Sequence, residues 1–429
     1  MIRIMKYGAV ANEDIFARVV PEVDVQKIVS DIIADVRARG DRALLDYCER
    51  FDRVKLDSLE VDPGEIDAAM RSTDAAFIEV LQTAAANIRQ FHEKQVRSGF
   101  IITEREGVVM GQKVTPLDRV GLYVPGGTAA YPSTVLMDAI PAKLAGCGEI
   151  VITTPPGRDG RVNPAILAAA KVAGVDRVFK VGGAQAVAAL AYGTETVPCV
   201  DKIVGPGNAF VAEAKKQVFG RVAIDMIAGP SEILIVADAK SNPAHVAADL
   251  LSQAEHDKLA SAVLVTDSMD LAEAVQAEVE RQVRLLPRVE IASASIDRNG
   301  KIIVADTLDR AIDIANALAP EHLELCVDNP FDYLGRVKHA GSIFMGRYCP
   351  EALGDYLAGP NHTLPTGGTA RFYSPLSVDD FIKKSQFTYF TRDALAAVSD
   401  KVALFAEREG LSGHARSALA RGDAPARAD

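Results

Sequence analysis

The sequence predicts an α/β protein with parallel, doubly wound sheets. Between Glu149 and Val327, short runs rich in β-branched residues alternate with helical segments, which is the pattern of βαβ units. The chain has 429 residues, of which 48% are hydrophobic and 24% are charged. It is therefore long enough for several domains and has the composition of a globular protein.

A helical region, an alternating region and a second helical region follow one another along the chain. In the first, Ile28, Ile32 and Val36 are spaced four apart among charged residues. A Gly/Pro-rich stretch at 116–135 precedes the alternating region, whose predicted strands are EIVITTPP, RVFKVGG, KIVGPG, SEILIVAD, SAVLVTD, KIIVAD and HLELCV. Its predicted helices are PAILAAAKVAG, AQAVAALAYG, AFVAEAKKQVFG and NPAHVAADLLSQAEH. From about Ser377 the pattern is helical again, and the tail RGDAPARAD is expected to fray.

The net charge and the cysteines limit the classes of partner. The charge is −11, because 58 acidic residues outnumber 47 basic ones, and an acidic surface argues against nucleic-acid binding. The five cysteines form no CxxC pair, which is typical of reduced thiols in a cytoplasm. The N-terminus lacks a signal-peptide pattern, and every apolar run is shorter than a membrane span. We therefore expect a cytoplasmic protein that binds neither nucleic acid nor membranes.

The segment SNPAHVAADLLSQAEHD ends a predicted helix with two potential metal ligands. Pro243 suits the first turn, and Gln253 and His256 project from one side of the last turn. An amide oxygen and an imidazole there are able to share a metal ion. A polar helix end is the alternative, with His256 favoured by the negative pole of the helix, because two ligands alone do not make a site.

The segment APEHLELCV carries a second Glu-His pair. Pro320 ends the preceding helix and alternating apolar residues then predict a strand, so Glu321 and His322 lie on a helix-to-strand junction. A neutral imidazole suits proton transfer from an alcohol, and a carboxylate suits the activation of water. The alternative is a solvated turn.

Two further segments combine a histidine with a carboxylate. PEALGDYLAGPNHTLP contains Asp355 and His362 in a Gly/Pro-rich stretch of the kind that often surrounds a site, and EREGLSGHA contains Glu409 and His414. Three histidines are assigned no role in a site: His92, His245 and His339. Together these segments indicate a metal-assisted enzyme on an α/β scaffold, but they do not name its reaction.

Signals for a nucleotide are weaker. No GxGxxG opens a helix after a strand, and GPGNAF is the nearest approach. The segment LYVPGGTAAYPS is able to bring backbone N–H groups to a phosphate, but a tight structural turn explains it equally well. AGPSEILIV is not a nucleophile elbow, because Glu232 and Ile233 replace its last two positions.

Six segments closely resemble histidinol dehydrogenases: LYVPGGTAAYPSTVLMDAIPAKLAGC, VGGAQAVAALAYGTETVPCVDKIVGPGNAFVAEAKKQVFG, IDMIAGPSEILIVAD, LLSQAEHD, APEHLEL and GDYLAGPNHTLPTGGTARF. The resemblance covers nearly the whole chain. It implies two Rossmann-like, aldehyde-dehydrogenase-like domains with small helical N- and C-terminal extensions, in an intertwined homodimer. The implied division is an arm at 1–19, a zinc and catalytic domain at 20–122 plus 237–375, an NAD domain at 123–236, and a helical extension at 376–429 that reaches the partner subunit.

The resemblance also implies the reaction and the residues that perform it. L-histidinol is oxidised to L-histidine through an aldehyde, with one zinc ion per subunit and two NAD⁺ per turnover. The implied zinc ligands are Gln253, His256, Asp355 and, from the partner subunit, His414, while Glu321 and His322 match the acid–base pair. The implied substrate contacts are Ser231, Gln253, His256, His322, Asp355, His362, Glu409 and His414. The implied NAD⁺ contacts are Tyr123, Gln185 and Asn208.

Four other functions are weighed against this one. A relative that oxidises an anionic alcohol, such as a sulfonated diol, is disfavoured by the carboxylate of Glu409. A thiol-based aldehyde dehydrogenase would use Cys147 or Cys326. A zinc hydrolase would use Glu321 as its base and need no NAD⁺, and a non-catalytic protein would bind zinc or NAD⁺ without turnover.

Overall fold

The computed structural model describes residues 2–18, 24–126 and 130–422. The chain divides into two compact units. The first comprises Met1–Gln95 and Leu117–Phe381, and the second comprises Val96–Pro116 and Ile382–Asp429.

The strands and helices are numbered in chain order. The strands are β1 Arg3–Lys6, β2 Phe100–Ile102, β3 Val108–Pro116, β4 Arg119–Tyr123, β5 Glu149–Thr154, β6 Arg177–Lys180, β7 Lys202–Val204, β8 Ala223–Ile224, β9 Glu232–Ala237, β10 Ser261–Thr266, β11 Lys301–Val304, β12 His322–Cys326, β13 Ser342–Met345 and β14 Ile382–Phe390. The helices are α1 Asn12–Phe16, α2 Gln26–Arg39, α3 Asp41–Tyr47, α4 Pro63–Ser72, α5 Ala75–His92, α6 Pro132–Ala145, α7 Pro164–Ala173, α8 Gly183–Tyr192, α9 Ala209–Val218, α10 Pro243–Ala254, α11 Met269–Gln282, α12 Val289–Asn299, α13 Leu308–Leu318, α14 Pro330–Leu334, α15 Glu351–Tyr356, α16 Arg392–Ala396, α17 Ser399–Arg408 and α18 Ser412–Leu419.

Two parallel sheets form the first unit. The larger sheet has six strands in the order β1-β11-β10-β9-β12-β13, and the smaller has five in the order β6-β5-β4-β7-β8. In each sheet, successive strands are added first on one side of an inner strand and then on the other. The connecting helices therefore lie on both faces of the sheet. Separate buried clusters cover the two faces of each sheet, as expected for strands buried on both sides. The predicted α/β class and its parallel sheets are confirmed, as are the seven predicted strands and four predicted helices.

The N-terminal helices pack on the five-stranded sheet. Val29 of α2 shares a buried cluster with Phe179 of β6, and Ile88 of α5 shares another with Ile152 of β5. This packing differs from the predicted division, which grouped 20–122 with the zinc domain. Ile28, on the predicted apolar face of α2, is 52% exposed, because the helix turns Val29, Ile32, Ile33 and Val36 inward instead.

Three strand assignments also differ from the predicted domain boundaries. The boundary at 122/123 falls inside β4 and the one at 236/237 inside β9, because each apolar run continues as one strand of one sheet. In the predicted N-terminal arm, β1 pairs in parallel with β11 and so extends the six-stranded sheet.

The second unit contains a three-stranded antiparallel sheet in the order β14-β3-β2, followed by helices α16 to α18. The prediction of helix from Ser377 onward is wrong for β14, whose nine residues pair with β3 along its whole length. The run IKKSQFTYF mixes polar and aromatic residues without clear apolar alternation, and its strand is fixed by the distant partner β3. No helix within the described ranges is long and apolar enough to cross a membrane.

Candidate active site

The candidate site lies at the amino ends of two neighbouring strands in the six-stranded sheet. His322 is the first residue of β12 and pairs with Ile233 of β9, next to Glu232 at the start of that strand. Helix α10 connects the parallel strands β9 and β10 and runs antiparallel to them. Its last turn, which carries Gln253, therefore lies at this same edge of the sheet. Helix α15, which carries Asp355, packs against α10. Tertiary folding thus brings residues from four elements to one edge of the sheet.

The two ring nitrogens of His322 have different surroundings. Nδ1 donates to the carbonyl oxygen of Glu232 at 3.0 Å, which leaves Nε2 as the unprotonated nitrogen of the neutral ring. Nε2 is buried without a hydrogen-bond partner among the described residues and lies 3.7 Å from Asp355 Oδ1 and 3.9 Å from Glu351 Oε1. Burial opposes the imidazolium form, but the nearby carboxylates, that of Glu321 foremost, outweigh it and raise the pKa of His322 to about 10. A cation bound beside these carboxylates would offset their charge and favour the neutral ring.

Glu321 is held beside His322 by the same stretch of backbone. Its Oε2 accepts the N–H of Glu232 at 2.8 Å and lies 3.6 Å from His322 Nδ1. The side chain is almost completely buried, and this burial raises the pKa of Glu321 to about 8. A carboxyl group in this state is suited to exchanging a proton near neutral pH.

Three side chains of the first unit form a group able to hold a metal ion. One ligand atom from each of His256, Glu351 and Asp355 lies within 4.8 Å of the other two. Burial lowers the pKa of His256, so its imidazole is neutral and able to ligate. Gln253 is fully buried, and neither its Oε1 nor its Nε2 has a hydrogen-bond partner among the described residues. A buried amide without a partner is costly unless a ligand satisfies it, so this donor set fits a zinc ion.

Glu351 was missed by the sequence analysis. It is buried at the start of α15, four residues before Asp355, and its Oε2 accepts the hydroxyl of Ser252 at 2.9 Å. Burial raises its pKa to about 7. The i, i+4 spacing of two carboxylates in PEALGDY was the available signal, but the surrounding Gly and Pro residues did not predict a helix there.

His362 lies next to the same cluster with both ring nitrogens engaged. Nδ1 donates to the carbonyl oxygen of Asp355 at 3.1 Å, so Nε2 accepts the hydroxyl of Thr134 at 3.3 Å. Burial lowers the pKa of His362 and keeps the ring neutral. Thr134 belongs to α6, which packs on the five-stranded sheet, and the sequence analysis assigned it no role.

The remaining predicted substrate contacts are Ser231, Glu409 and His414. Ser231 directly precedes β9 and is half-buried beside Glu232. Glu409 follows α17 and His414 lies on α18, so both belong to the second unit. The first unit therefore brings together Gln253, His256, Glu321, His322, Asp355 and His362 without either residue.

The three predicted NAD⁺ contacts line one cleft at the carboxyl ends of the five-stranded sheet. The cleft has a volume of about 1510 Å³, and Tyr123, Gln185 and Asn208 all line it. Tyr123 Oη accepts the N–H of Gly183 at 3.0 Å, and Asn208 Oδ1 caps α9 by accepting from Phe210 at 3.0 Å. Ligands of open α/β sheets bind at this edge, so the position suits a dinucleotide although the glycine fingerprint is missing.

Comparison with known proteins matches residues 18–422 to the histidinol dehydrogenase family model. The chain belongs to the histidinol dehydrogenase family. It is 55% identical over 426 residues to a histidinol dehydrogenase of Clostridium acetobutylicum, which covers 98% of this chain and 99% of the relative. A histidinol dehydrogenase of Geobacillus kaustophilus is 58% identical over 392 residues, or 91% of this chain and 92% of the relative.

A crystal structure of histidinol dehydrogenase from Elizabethkingia anophelis has a similar fold. It matches with a TM-score of 0.93 at 40% sequence identity, and the match covers 98% of each chain. The family match thus extends over both compact units, and the resemblance read from the sequence is confirmed.

Proposed function

We propose that this chain oxidises L-histidinol to L-histidine through histidinal, with two NAD⁺ per turnover and one zinc ion per subunit. The observation that carries the proposal is the placement of His322, whose buried Nε2 lies beside the metal-binding group His256, Glu351 and Asp355. A base next to a cation site is what the oxidation of an alcohol on a metal-anchored substrate requires.

His322 acts as the base in both oxidations. Its Nδ1–H bond to Glu232 fixes the tautomer and the ring orientation, so Nε2 receives the hydroxyl proton of the alcohol. NAD⁺, when bound in the cleft lined by Tyr123, Gln185 and Asn208, supplies the hydride acceptor. After the first oxidation Glu321 removes a proton from the water that adds to the aldehyde, and His322 returns its proton to the aldehyde oxygen. The ring is then neutral again and takes a hydroxyl proton from the hydrate in the second oxidation, while Glu321 releases its proton to solvent.

The zinc ligands in this proposal are Gln253, His256 and Asp355, completed by His414 of the other subunit. When bound, zinc supplies a borderline-soft cation that accepts the imidazole nitrogen of histidinol as a further ligand. Ser231 and His362 contact the substrate from the first unit, and Glu409 meets its ammonium group. The burial of Glu321 and His322 excludes water from the reactive aldehyde until Glu321 directs its addition.

The positions of the last two proposed contacts support a homodimer. Glu409 and His414 belong to the second unit, whose short helices enclose a buried cluster of only three alanines within the described residues. The same unit exposes large apolar side chains: Phe100, Ile101, Tyr389, Leu404 and Phe405. Several large exposed apolar side chains on a unit with so small a core favour a protein interface, and a second copy of the chain is the partner we propose. The five free cysteines suit a cytoplasmic location.

Thiol-based catalysis is disfavoured by the two cysteines that it would need. Cys147 and Cys326 are both buried. Burial raises the pKa of Cys147 to about 11 and that of Cys326 further, so neither thiol is a nucleophile near neutral pH.

The test is the stoichiometry of the reaction. Purified protein with zinc, L-histidinol and NAD⁺ should form about two NADH for each histidinol consumed, with histidine as the product. One NADH with accumulated aldehyde contradicts the four-electron reaction. Zinc or NAD⁺ binding without NADH formation contradicts an enzymatic role with this substrate.

A further inference from the structure

Helix α6 holds the segment 361–363 by hydrogen bonds on either side of His362. Asn361 Nδ2 donates to the carbonyl oxygen of Met137 at 2.6 Å, and Thr363 Oγ1 donates to Asp138 Oδ1 at 2.8 Å. The side chains of Asn361 and Thr363 are buried, and Asp138 has no exposed surface. The segment 361–363 is therefore fixed to a helix that packs on the five-stranded sheet. It nevertheless follows α15, which packs against α10 beside the six-stranded sheet.

Asp138 also lies against the loop that leads to Asn208. A β-carbon at Gly205 would stand 3.3 Å from Asp138 Oδ2 and 2.2 Å from the carbonyl oxygen of Tyr123, so only glycine allows this approach. Gly205 is itself held by a buried ion pair, because its N–H donates to Asp225 at 2.8 Å and its carbonyl accepts from Lys215 at 3.0 Å. Asp138 thus contacts the surroundings of both reactants.

Packing alone does not account for Asp138. Its Oδ2 is buried without a hydrogen-bond partner among the described residues, which is costly for a carboxyl group. Its neighbours on α6, Met137 and Ala139, are fully buried and apolar, so a leucine at this position would suit the packing and remove the unpaired carboxyl oxygen. Within the described residues, the side-chain hydrogen bond that a leucine would lose is the one to Thr363.

We propose that Asp138 is a positioning residue: through Thr363 it fixes the backbone that carries His362, beside the loop that carries Asn208. The inference rests on the proposed function, in which His362 serves the substrate and Asn208 the cofactor. Asp138 does not line the cleft that contains Asn208, and its effect reaches the site through the segment 361–363. Removing the hydrogen bond should therefore weaken the use of histidinol more than the use of NAD⁺.

The experiment uses the zinc-loaded full chain with Thr363→Val and Asp138→Leu, each lacking one side of the hydrogen bond. We expect the KM for histidinol to rise about tenfold in each and the KM for NAD⁺ to stay within about twofold. The double variant should be no worse than either single one, because both remove the same contact. Thr363→Ser and Asp138→Asn keep a donor and an acceptor, and each should stay within about threefold of the parent protein.

A buried hydroxyl elsewhere in the fold gives the matched control. Ser295 of α12 donates to the carbonyl oxygen of Ala260 at 2.9 Å and is fully buried. Ser295→Ala therefore removes a comparable hydrogen bond without touching α6, and its KM for histidinol should not change. Binding of histidinol to each zinc-loaded variant, measured by calorimetry, provides a readout that does not depend on turnover.

The outcomes separate the two proposals. An unchanged KM for histidinol in folded Thr363→Val, or an equal rise in Ser295→Ala, overturns the positioning role. Equal rises in the KM for both reactants overturn it as well, because they indicate a general loss of structure. Absence of NADH formation by the parent protein overturns the proposed function instead.

Discussion

His322 combines a fixed ring orientation with carboxylates close to its buried Nε2. The backbone carbonyl of Glu232 holds Nδ1 at 3.0 Å, and the buried Nε2 has carboxylate oxygens as neighbours at 3.7 and 3.9 Å. Those carboxylates stabilise the imidazolium that forms when the ring takes a proton. The arrangement is therefore suited to a base that is used twice in one turnover.

His322→Asn should lower kcat by about 10³, because general-base catalysis contributes roughly 10² to 10⁴ in rate. Zinc content, measured by atomic absorption, should stay at the parental level, since His322 is not among the proposed ligands. His245→Asn on the exposed side of α10 is the control and should keep its activity. A His322→Asn protein that retains its zinc and more than a tenth of its activity would contradict the assignment.

The sequence alone indicated most of the individual site residues that the first unit brings together. Gln253, His256, Glu321 and His322 were recognisable because imidazoles and acidic or amide groups recur together at element ends. Glu351 was not, because its short helix lies in a Gly/Pro-rich stretch. The hydrogen bond between His362 and Thr134 joins residues 228 positions apart, a contact that only tertiary folding creates.

Helix α6 carries a buried carboxyl group whose protonation affects folding. Burial raises the pKa of Asp138 to about 8, far above that of an exposed aspartate. In the unfolded chain the group ionises near pH 4, whereas in the folded chain it keeps its proton up to about pH 8. The folded state thus binds more protons between these values, and the contribution of Asp138 to stability falls as pH rises through this window.

Asp138→Asn should remove this pH dependence, because the amide resembles the protonated acid but does not ionise. Relative to the variant, the parent protein should lose up to ~1.4 kcal/mol of unfolding free energy per pH unit between about pH 5 and 7. Denaturant unfolding at several pH values measures the difference between the two proteins. If the two stability curves run parallel through this window, Asp138 is not protonated in the folded state.

Elements were predictable where local pattern and tertiary packing agree. Strands such as β9 and β12 are buried on both faces, so their apolar runs were visible in the sequence. The strand β14 depends on pairing with β3, more than 260 residues earlier, and its mostly exposed side chains show no core-facing pattern. The packing of α2 and α5 on the five-stranded sheet likewise follows from contacts that no local pattern encodes.

The second unit exposes several large apolar side chains. Phe405 of α17 is 70% exposed and Ile101 of β2 is 67% exposed, and the unit buries few apolar side chains of its own. It also contains Glu409 and His414, which the proposed site requires. A site completed by the second unit of another copy would make assembly a condition of activity.

Subunit mixing tests this arrangement directly. A His414→Ala subunit and a Gln253→Ala subunit are each expected to form inactive homodimers, because both of their sites lack a zinc ligand. In the heterodimer one site combines the intact Gln253 of one chain with the intact His414 of the other, while the second site lacks both. Random mixing makes half of the dimers heterodimers, so about one quarter of parental activity should return.

Two different affinity tags allow the heterodimer to be isolated, and its activity should be about half that of the parent dimer, with about one zinc ion bound per dimer. Mixing each variant with itself under the same unfolding and refolding steps controls for recovery by refolding alone. Well-formed heterodimers without activity would mean that each site takes all its ligands from one chain. His414 would then have to reach Gln253, His256 and Asp355 within a single subunit, and the exposed apolar surface of the second unit would need another partner.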